Sequence, residues 1–252
     1  MTNFEIDYLK DMKQRHWVVD IGNTRIKTGL FEKGILLESK SFSEIAKCND
    51  YLMPKEADRV LITSVKLSLN ELKEIFTFPF LYFDHQTPLE ITNSYKTPQT
   101  LGLDRLAGVI GTRSFKKEAD VLVVDMGTCI TYDYLNKKNN YLGGAISPGL
   151  RMRARAMHEF TARLPLVNVN NQEIPYLGNS TVSSMESGLY HGIAEEIKGF
   201  IQRYRESFGH IEVFICGGDA EIFESLIKDH IFVIPNLVLY GLDRILIYNV
   251  EK

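Results

Sequence analysis

Residues 16–31 read HWVVDIGNTRIKTGLF. The apolar run Trp17, Val18 and Val19 stops at Asp20 and Gly22, and alternation resumes through Ile26, Thr28 and Leu30. That pattern predicts a strand, a tight polar turn and a second strand. Residues 121–135, VLVVDMGTCITYDYL, repeat it: an apolar run ends in Asp125, Gly127 and Thr128, then alternation returns. The shared V-V-D-x-G fits two unrelated hairpins or a duplicated βββαβα unit. Each half continues into alternating strand and helix patterns, which favours duplication.

Elsewhere, residues 59–65 (RVLITSV) predict a buried strand and residues 81–83 a short one. Residues 87–98, rich in Thr, Asn and Pro, predict a loop. A helix is expected from about Asp104, with Leu106, Val109 and Ile110 on its apolar side. The clearest helix spans residues 187–208, where Leu189, Ile193, Ile197, Ile201, Tyr204 and Phe208 form one stripe. Gly188 and Gly192 give that helix a smooth second face. Residues 212–219 predict a strand running into Gly217, Gly218 and Asp219. The expected organisation is an arm over residues 1–15, a first lobe over 16–115 and a second over 116–252.

Composition narrows the class. The chain has 252 residues, enough for one to two domains and a sizeable core without staples. Lys and Arg number 29 against 32 Asp and Glu, a net charge of −3, which argues against a protein that coats nucleic acid. Three scattered cysteines, Cys48, Cys129 and Cys216, fit a reducing compartment better than a disulfide framework. No apolar stretch is long enough to span a bilayer, and residues 1–16 lack a secretory pattern. A cytoplasmic protein with neither membrane nor nucleic-acid partners is expected. The six histidines show no zinc spacing, and neither a G-x-S-x-G elbow nor a P-loop is present.

The two hairpins carry the candidate chemistry. A strand ending in Asp-x-Gly places a carboxylate at a turn whose N–H groups, with the hydroxyls of Thr24 and Thr128, can donate to phosphate oxygens. Lys27, on the second strand, can reach the same phosphates. A carboxylate beside phosphates calls for a cation between them, so Asp20 implies Mg²⁺ held through water. Two such hairpins suggest a nucleotide clamped between two lobes. Asp104 alone has a plain structural explanation as a first-turn acid complementing its helix dipole. Arg151, Arg153, Arg155 and Arg163 read mostly as a solvated helix face.

Taken in order, D-x-G-N-T-x-x-K at residues 20–27, G-x-D-R at 102–105, D-x-G-T at 125–128, G-G-x-I-x-P-G-L at 143–150, T-A-R-L-P at 161–165, T-x-x-S-x-x-S-G at 181–188 and G-G-D at 217–219 resemble the type III pantothenate kinase family. The resemblance covers residues 16–248. It implies an α/β fold of the duplicated two-lobe actin/hexokinase/acetate-kinase (ribonuclease H-like) type, with the nucleotide in the inter-lobe cleft. It also implies ATP-dependent phosphorylation of pantothenate to 4′-phosphopantothenate, the first step of coenzyme A synthesis.

Carried over by position, Asp20, Ile21, Gly22, Asn23, Thr24, Arg25, Ile26 and Lys27 form the first phosphate-binding hairpin, and Thr128 is an ATP contact on the second. Asp104 is the general base. Tyr95, Gly102, Leu103, Arg105 and Thr181 join it in the pantothenate site. Asp125 is the ligand of a monovalent cation, K⁺ or NH₄⁺, alongside ATP with Mg²⁺. The family resemblance further implies a homodimer whose substrate site is completed across the interface. The helix bearing Gly188 and Gly192 is an interface candidate. Two departures stand out: Cys216 where the family usually has Thr, and Cys129 where Ala is common. The competing readings are another kinase or a phosphatase of the same fold, and a non-catalytic accessory factor in transcription. Tyr95 with Gly102 to Arg105 argues against the first; the intact Asp20, Lys27, Asp104 and Asp125 argue against the second.

Overall fold

Strand β1 (Arg15–Ile21) is apolar on both faces, with Trp17, Val18, Val19 and Ile21 buried, as befits a central strand. It pairs antiparallel with β2 (Ile26–Glu32) and parallel with β4 (Arg59–Ser64). The mostly exposed β3 (Ile35–Phe42) edges β2, and the short β5 (Leu81–Tyr82) edges β4, giving the order β3-β2-β1-β4-β5. Helix α1 (Ile45–Tyr51) follows β3. Helix α2 (Leu69–Ile75) starts on a reciprocal capping box between Ser68 and Glu71. A two-residue strand, β6 (Thr92–Asn93), interrupts the predicted loop ahead of α3 (Leu103–Gly111).

This is a computed structural model, and it describes residues 15–170, 174–223, 227 and 231–250. The expected arm over residues 1–15 lies outside that set apart from Arg15. That residue opens β1, and its guanidinium binds Asp58 at 2.7 and 3.2 Å.

Contacts divide the chain into two units. One runs to Lys117 and resumes at Asn236; the other is Glu118–Pro235. In the second, β7 (Val121–Met126) pairs with β8 (Cys129–Leu135), β8 with β9 (Asn140–Pro148), and β7 with the parallel β10 (Glu212–Cys216), which pairs with β11 (Ile231–Val233). The strand succession β9-β8-β7-β10-β11 reproduces that of the first unit. The duplication expected from V-V-D-x-G is therefore present in the topology.

Helix α4 (Leu150–Glu159) follows β9. The long α5 (Thr181–Phe208) begins six residues earlier than its apolar stripe suggests, because Ser180 and Ser183 cap its first turn reciprocally. Leu189, Ile193, Ile197 and Ile201 lie against Leu122, Val124, Val213 and Ile215 in one core. Burying each such side chain stabilises by about 1.5–3 kcal/mol. Tyr132 and Tyr134 stack on Phe200 and Phe208 with ring centroids 4.0 and 4.2 Å apart. A short turn, α6 (Ala220–Phe223), follows β10.

The last helix, α7 (Leu237–Val250), corrects the expected lobe boundary. A division at 116 places it in the second lobe, yet it packs on α3 and β1 of the first. The cause is steric. Gly111 of α3 and Gly241 of α7 let the two backbones touch: a Cβ on Gly111 would strike the Leu237 carbonyl, and one on Gly241 the Ala107 carbonyl.

Candidate active site

In the first unit the β1–β2 turn closes through the Gly22 N–H donating to the Arg25 carbonyl at 3.1 Å. The antiparallel register sets Asp20 directly opposite Lys27, and the parallel register sets it beside Thr63 on β4. Carboxylate and ammonium side chains thus leave the same face at the turn, both partly exposed. Asn23, Thr24 and Arg25 are exposed at the tip, whereas Ile21 and Ile26 are buried and can serve a ligand only through their backbone.

Helix α3 is buried at every position except one. Leu103 and residues 105–111 are enclosed, and Asp104 is exposed. Gly102 is the N-cap and offers no side chain, and Asp104 is the first-turn acid, as expected. The Asp104 carboxylate accepts from the Arg105 N–H at 2.9 Å, one of the open donors of the first turn, and folds back over Gly102, where a Cβ would collide with Oδ1. The Arg105 guanidinium is buried, 5.8 Å from the Tyr95 ring centroid, a cation–π distance. The structure thus brings together Tyr95 and Arg105, which sequence spacing alone leaves apart.

In the second unit three loops meet at the β7–β8 turn. The Gly127 N–H donates to the Cys129 carbonyl at 3.0 Å, leaving Thr128 exposed at the tip. The Gly149 N–H donates to the Thr128 carbonyl at 3.1 Å, so close that a Cβ on Gly149 would strike the Gly127 and Thr128 carbonyls. The Gly217 backbone, at φ +94°, lies against Met126 and the Asp125 carboxylate, and the Asp219 N–H donates to the Met126 carbonyl at 3.0 Å. Only glycine combines that φ with that proximity. Burial pushes the Asp219 carboxyl above its usual range, and the positive Arg151 pulls it back only in part. Thr181 is not on this turn. It is the first residue of α5, on the rim of a hollow of about 580 Å³ shared with Met157, Leu164 and Met185.

Arg153 is not a solvated residue. Its guanidinium donates to the Pro148 carbonyl at 2.7 Å, to Ser147 Oγ at 2.8 Å and to Glu196 at 2.6 Å. Tyr132 donates to the other Glu196 oxygen at 2.9 Å. Burial pushes Glu196 up, but the bonds from Arg153, Ser147 and Tyr132 outweigh it and hold its carboxyl below the usual range. Burial, then Glu196, pushes the Tyr132 hydroxyl up. This network secures the turn that presses on Thr128. The sequence offers little signal for it, since Glu196 lies 43 residues beyond Arg153. By contrast Arg155 pairs with Glu159 at the surface, as expected of a solvated face.

Among the described residues no three His, Cys, Asp or Glu side chains cluster as a metal cage. Asp20 and Asp125 each end the apolar run ahead of a turn, an arrangement that suits a cation taking most of its ligands from water and phosphate. His158 Nδ1 bonds the Leu164 carbonyl at 2.7 Å, a structural contact. No described helix is long and apolar enough to cross a membrane.

Two solved structures share this architecture across nearly the whole chain. An ROK hexokinase from Thermus thermophilus aligns with a TM-score of 0.53 at 13% identity, covering 94% of this chain and 100% of the other. An activator of 2-hydroxyisocaproyl-CoA dehydratase from Clostridium difficile with bound ADPNP aligns at 0.54 and 12%, covering 94% and 96%. The fold is that of the actin and hexokinase class, duplicated and two-lobed. The model of one family, type III pantothenate kinase, matches residues 17–203. Curated type III pantothenate kinases from Phocaeicola vulgatus and Cytophaga hutchinsonii are each 40% identical to this chain over 92% of its length, and over 98% and 99% of their own. The chain belongs to the type III pantothenate kinase family.

Proposed function

We propose that this chain transfers the γ-phosphoryl group of ATP to the primary hydroxyl of pantothenate, giving 4′-phosphopantothenate, with Asp104 as general base. The observation that carries the assignment of the base is the lone exposed carboxylate of an otherwise buried helix, seated over a glycine. In a loose phosphoryl-transfer transition state the attacking hydroxyl loses its proton late. A carboxylate within hydrogen-bond reach is then a sufficient base, worth roughly 10²–10⁴ in rate. Arg105 and Tyr95, held together at 5.8 Å, offer a cation and a phenol for the carboxylate, amide and hydroxyls of pantothenate. Thr181, on the rim of its hollow, offers a further hydroxyl.

The exposed turn residues Asn23, Thr24 and Arg25, the adjacent Gly22 N–H and the facing Lys27 would hold ATP phosphates, with Thr128 doing so on the second turn. Asp20 would hold Mg²⁺ through water, and Asp125 a monovalent cation, K⁺ or NH₄⁺. Bound there, these cations neutralise charge developing on the phosphates. The Gly217 backbone against the Asp125 carboxylate supports that role, because it fixes where the charge sits. A homodimer formed through α5 is part of the same reading. Gly188 and Gly192 have open space where a Cβ would stand, leaving a smooth face for a second copy. The reading places the enzyme in the cytoplasm, without nucleic-acid partners.

The test is ADP release with ATP, Mg²⁺, K⁺ and pantothenate. Turnover is expected with pantothenate, and Asp104→Asn should reduce kcat by at least about a hundredfold with the dimer intact. Release with another alcohol but not pantothenate would overturn the substrate. A rate indifferent to replacing K⁺ by Na⁺ would overturn the role of Asp125.

A further inference from the structure

The tetrapeptide G-L-D-R occurs twice, at residues 102–105 and again at 241–244 on α7. Three residues of the second copy seat three different parts of the first unit. Gly241 lies on the Ala107 backbone of α3, the helix bearing Asp104. Asp243 binds Nδ1 of His16, on the strand that carries Asp20, at 2.7 Å, with both side chains almost wholly buried. Arg244 makes a two-pronged bond to Glu90, Nε to Oε1 and an Nη to Oε2, each 2.6 Å. One turn further, Asn249 Nδ2 donates to the Pro88 carbonyl at 3.0 Å.

Glu90 lies five residues ahead of Tyr95. The segment between them is therefore anchored at one end by α7, through Pro88 and Glu90, and approached at the other by Arg105 of α3. The crossing of α3 over α7 sets the distance between those anchors. Glycines fix that crossing from both sides: Gly111 lies on the Leu237 backbone of one helix, and Gly241 on the Ala107 backbone of the other. A shift of one helix along the other would change the separation of the Asp104 carrier, α3, from the segment that α7 anchors ahead of Tyr95.

We propose that α7 is the positioning element of the acceptor half of the site. Arg244 is its substrate-selective member: through Glu90 it holds the segment that presents Tyr95, and so sets the affinity for pantothenate. This rests on the reading of Tyr95 and Asp104 given above. The planar fork of Arg244 fixes the Glu90 carboxylate in direction as well as distance, which a lysine cannot do. The two side chains are mostly buried, 28% and 20% exposed, so Tm is read beside the kinetics to separate loss of fold from loss of positioning.

The test measures kcat, both KM values and Tm for Arg244→Gln, Arg244→Lys and Glu90→Asp in the full chain. Expected is a rise of about tenfold in KM for pantothenate, with kcat and KM for ATP within about twofold, and only partial rescue by lysine. Glu90→Asp, one methylene shorter, gives the same readout should the Arg244 variants fold poorly. A fall in Tm with both KM values unchanged, or moved equally, would overturn the proposal. A parent enzyme inactive on pantothenate would instead overturn the reading on which it rests.

Discussion

Gly102 offers a way to displace the Asp104 carboxylate without touching Asp104 itself. Its backbone, at φ −57° and ψ 130°, is open to any L-residue, so Gly102→Ala carries no conformational strain. The added methyl group clashes with the Oδ1 atom that now accepts from the Arg105 N–H, and makes ordinary contact with the Arg105 side chain. The carboxylate must rotate away. The fold loses one charge-assisted hydrogen bond at an exposed site, about 1 kcal/mol, and the poorer N-cap costs roughly 0.5–1 kcal/mol more. Against this, alanine narrows the unfolded ensemble by about 0.4–1 kcal/mol. The balance is a net loss of about 1 kcal/mol, so Tm should fall by no more than about 4 °C. Activity should not: a base turned off line forfeits most of its roughly 10²–10⁴-fold contribution. The coupled assay should therefore show kcat down by about a hundredfold, with KM for ATP little changed. Near-parental kcat in a variant that melts within that range would refute the argument, because it would show that the seat of the carboxylate over Gly102 does not matter.

Two titratable groups in the second unit give opposite pH signatures. Glu196 is held below its ordinary value near 4.5, so its stabilisation is present above that pH and is lost as acidification carries it through the folded value. Thermal melts from pH 7 to 3 should show a steeper acid loss for the parent than for Glu196→Gln; parallel curves would count against the network. Asp219 is shifted the other way by burial, from 3.8 upward, so its ionisation at neutral pH works against the fold. Asp219→Asn should raise Tm at pH 7, with the gain shrinking once the parent carboxyl is protonated, and a gain that persists at pH 3 would point to another cause.

Much of the fold is legible in the chain because its strands are short apolar runs ended by turn residues. V-V-D-x-G at Asp20 and Asp125 marks β1 and β7, and both turn out to be the central strands of matching sheets. The stripe on α5 predicts its buried face, while Ser180 decides where it starts. The return of α7 to the first unit is illegible for a physical reason. Its apolar pattern shows that it packs but not on what, and the deciding fit of Gly111 against Gly241 is between residues far apart in sequence. At the site, turn chemistry and spacing point to Asp20, Thr128 and Asp125. They miss Arg153, whose partners lie on β9 and α5 and whose arginine neighbours suggest an ordinary solvated face. The two G-L-D-R copies make the limit plain. In one the aspartate is exposed and the arginine buried; in the other the aspartate is buried against His16 and the arginine reaches Glu90.

The interrupted path of the chain bears on how the molecule is made. Synthesis runs from the N-terminus, and domains tend to fold as they emerge. Residues 118–235 form one uninterrupted stretch, so the second unit is whole before Leu237 is joined. The first unit, begun earlier, must wait with the Ala107 and Gly111 face of α3 uncovered until Leu237–Val250 arrives. The helix that packs on α3 and β1 thus leaves the ribosome after every other described element of the first unit. Acceptor binding would mature late, after the half assembled around Thr128 and Asp125.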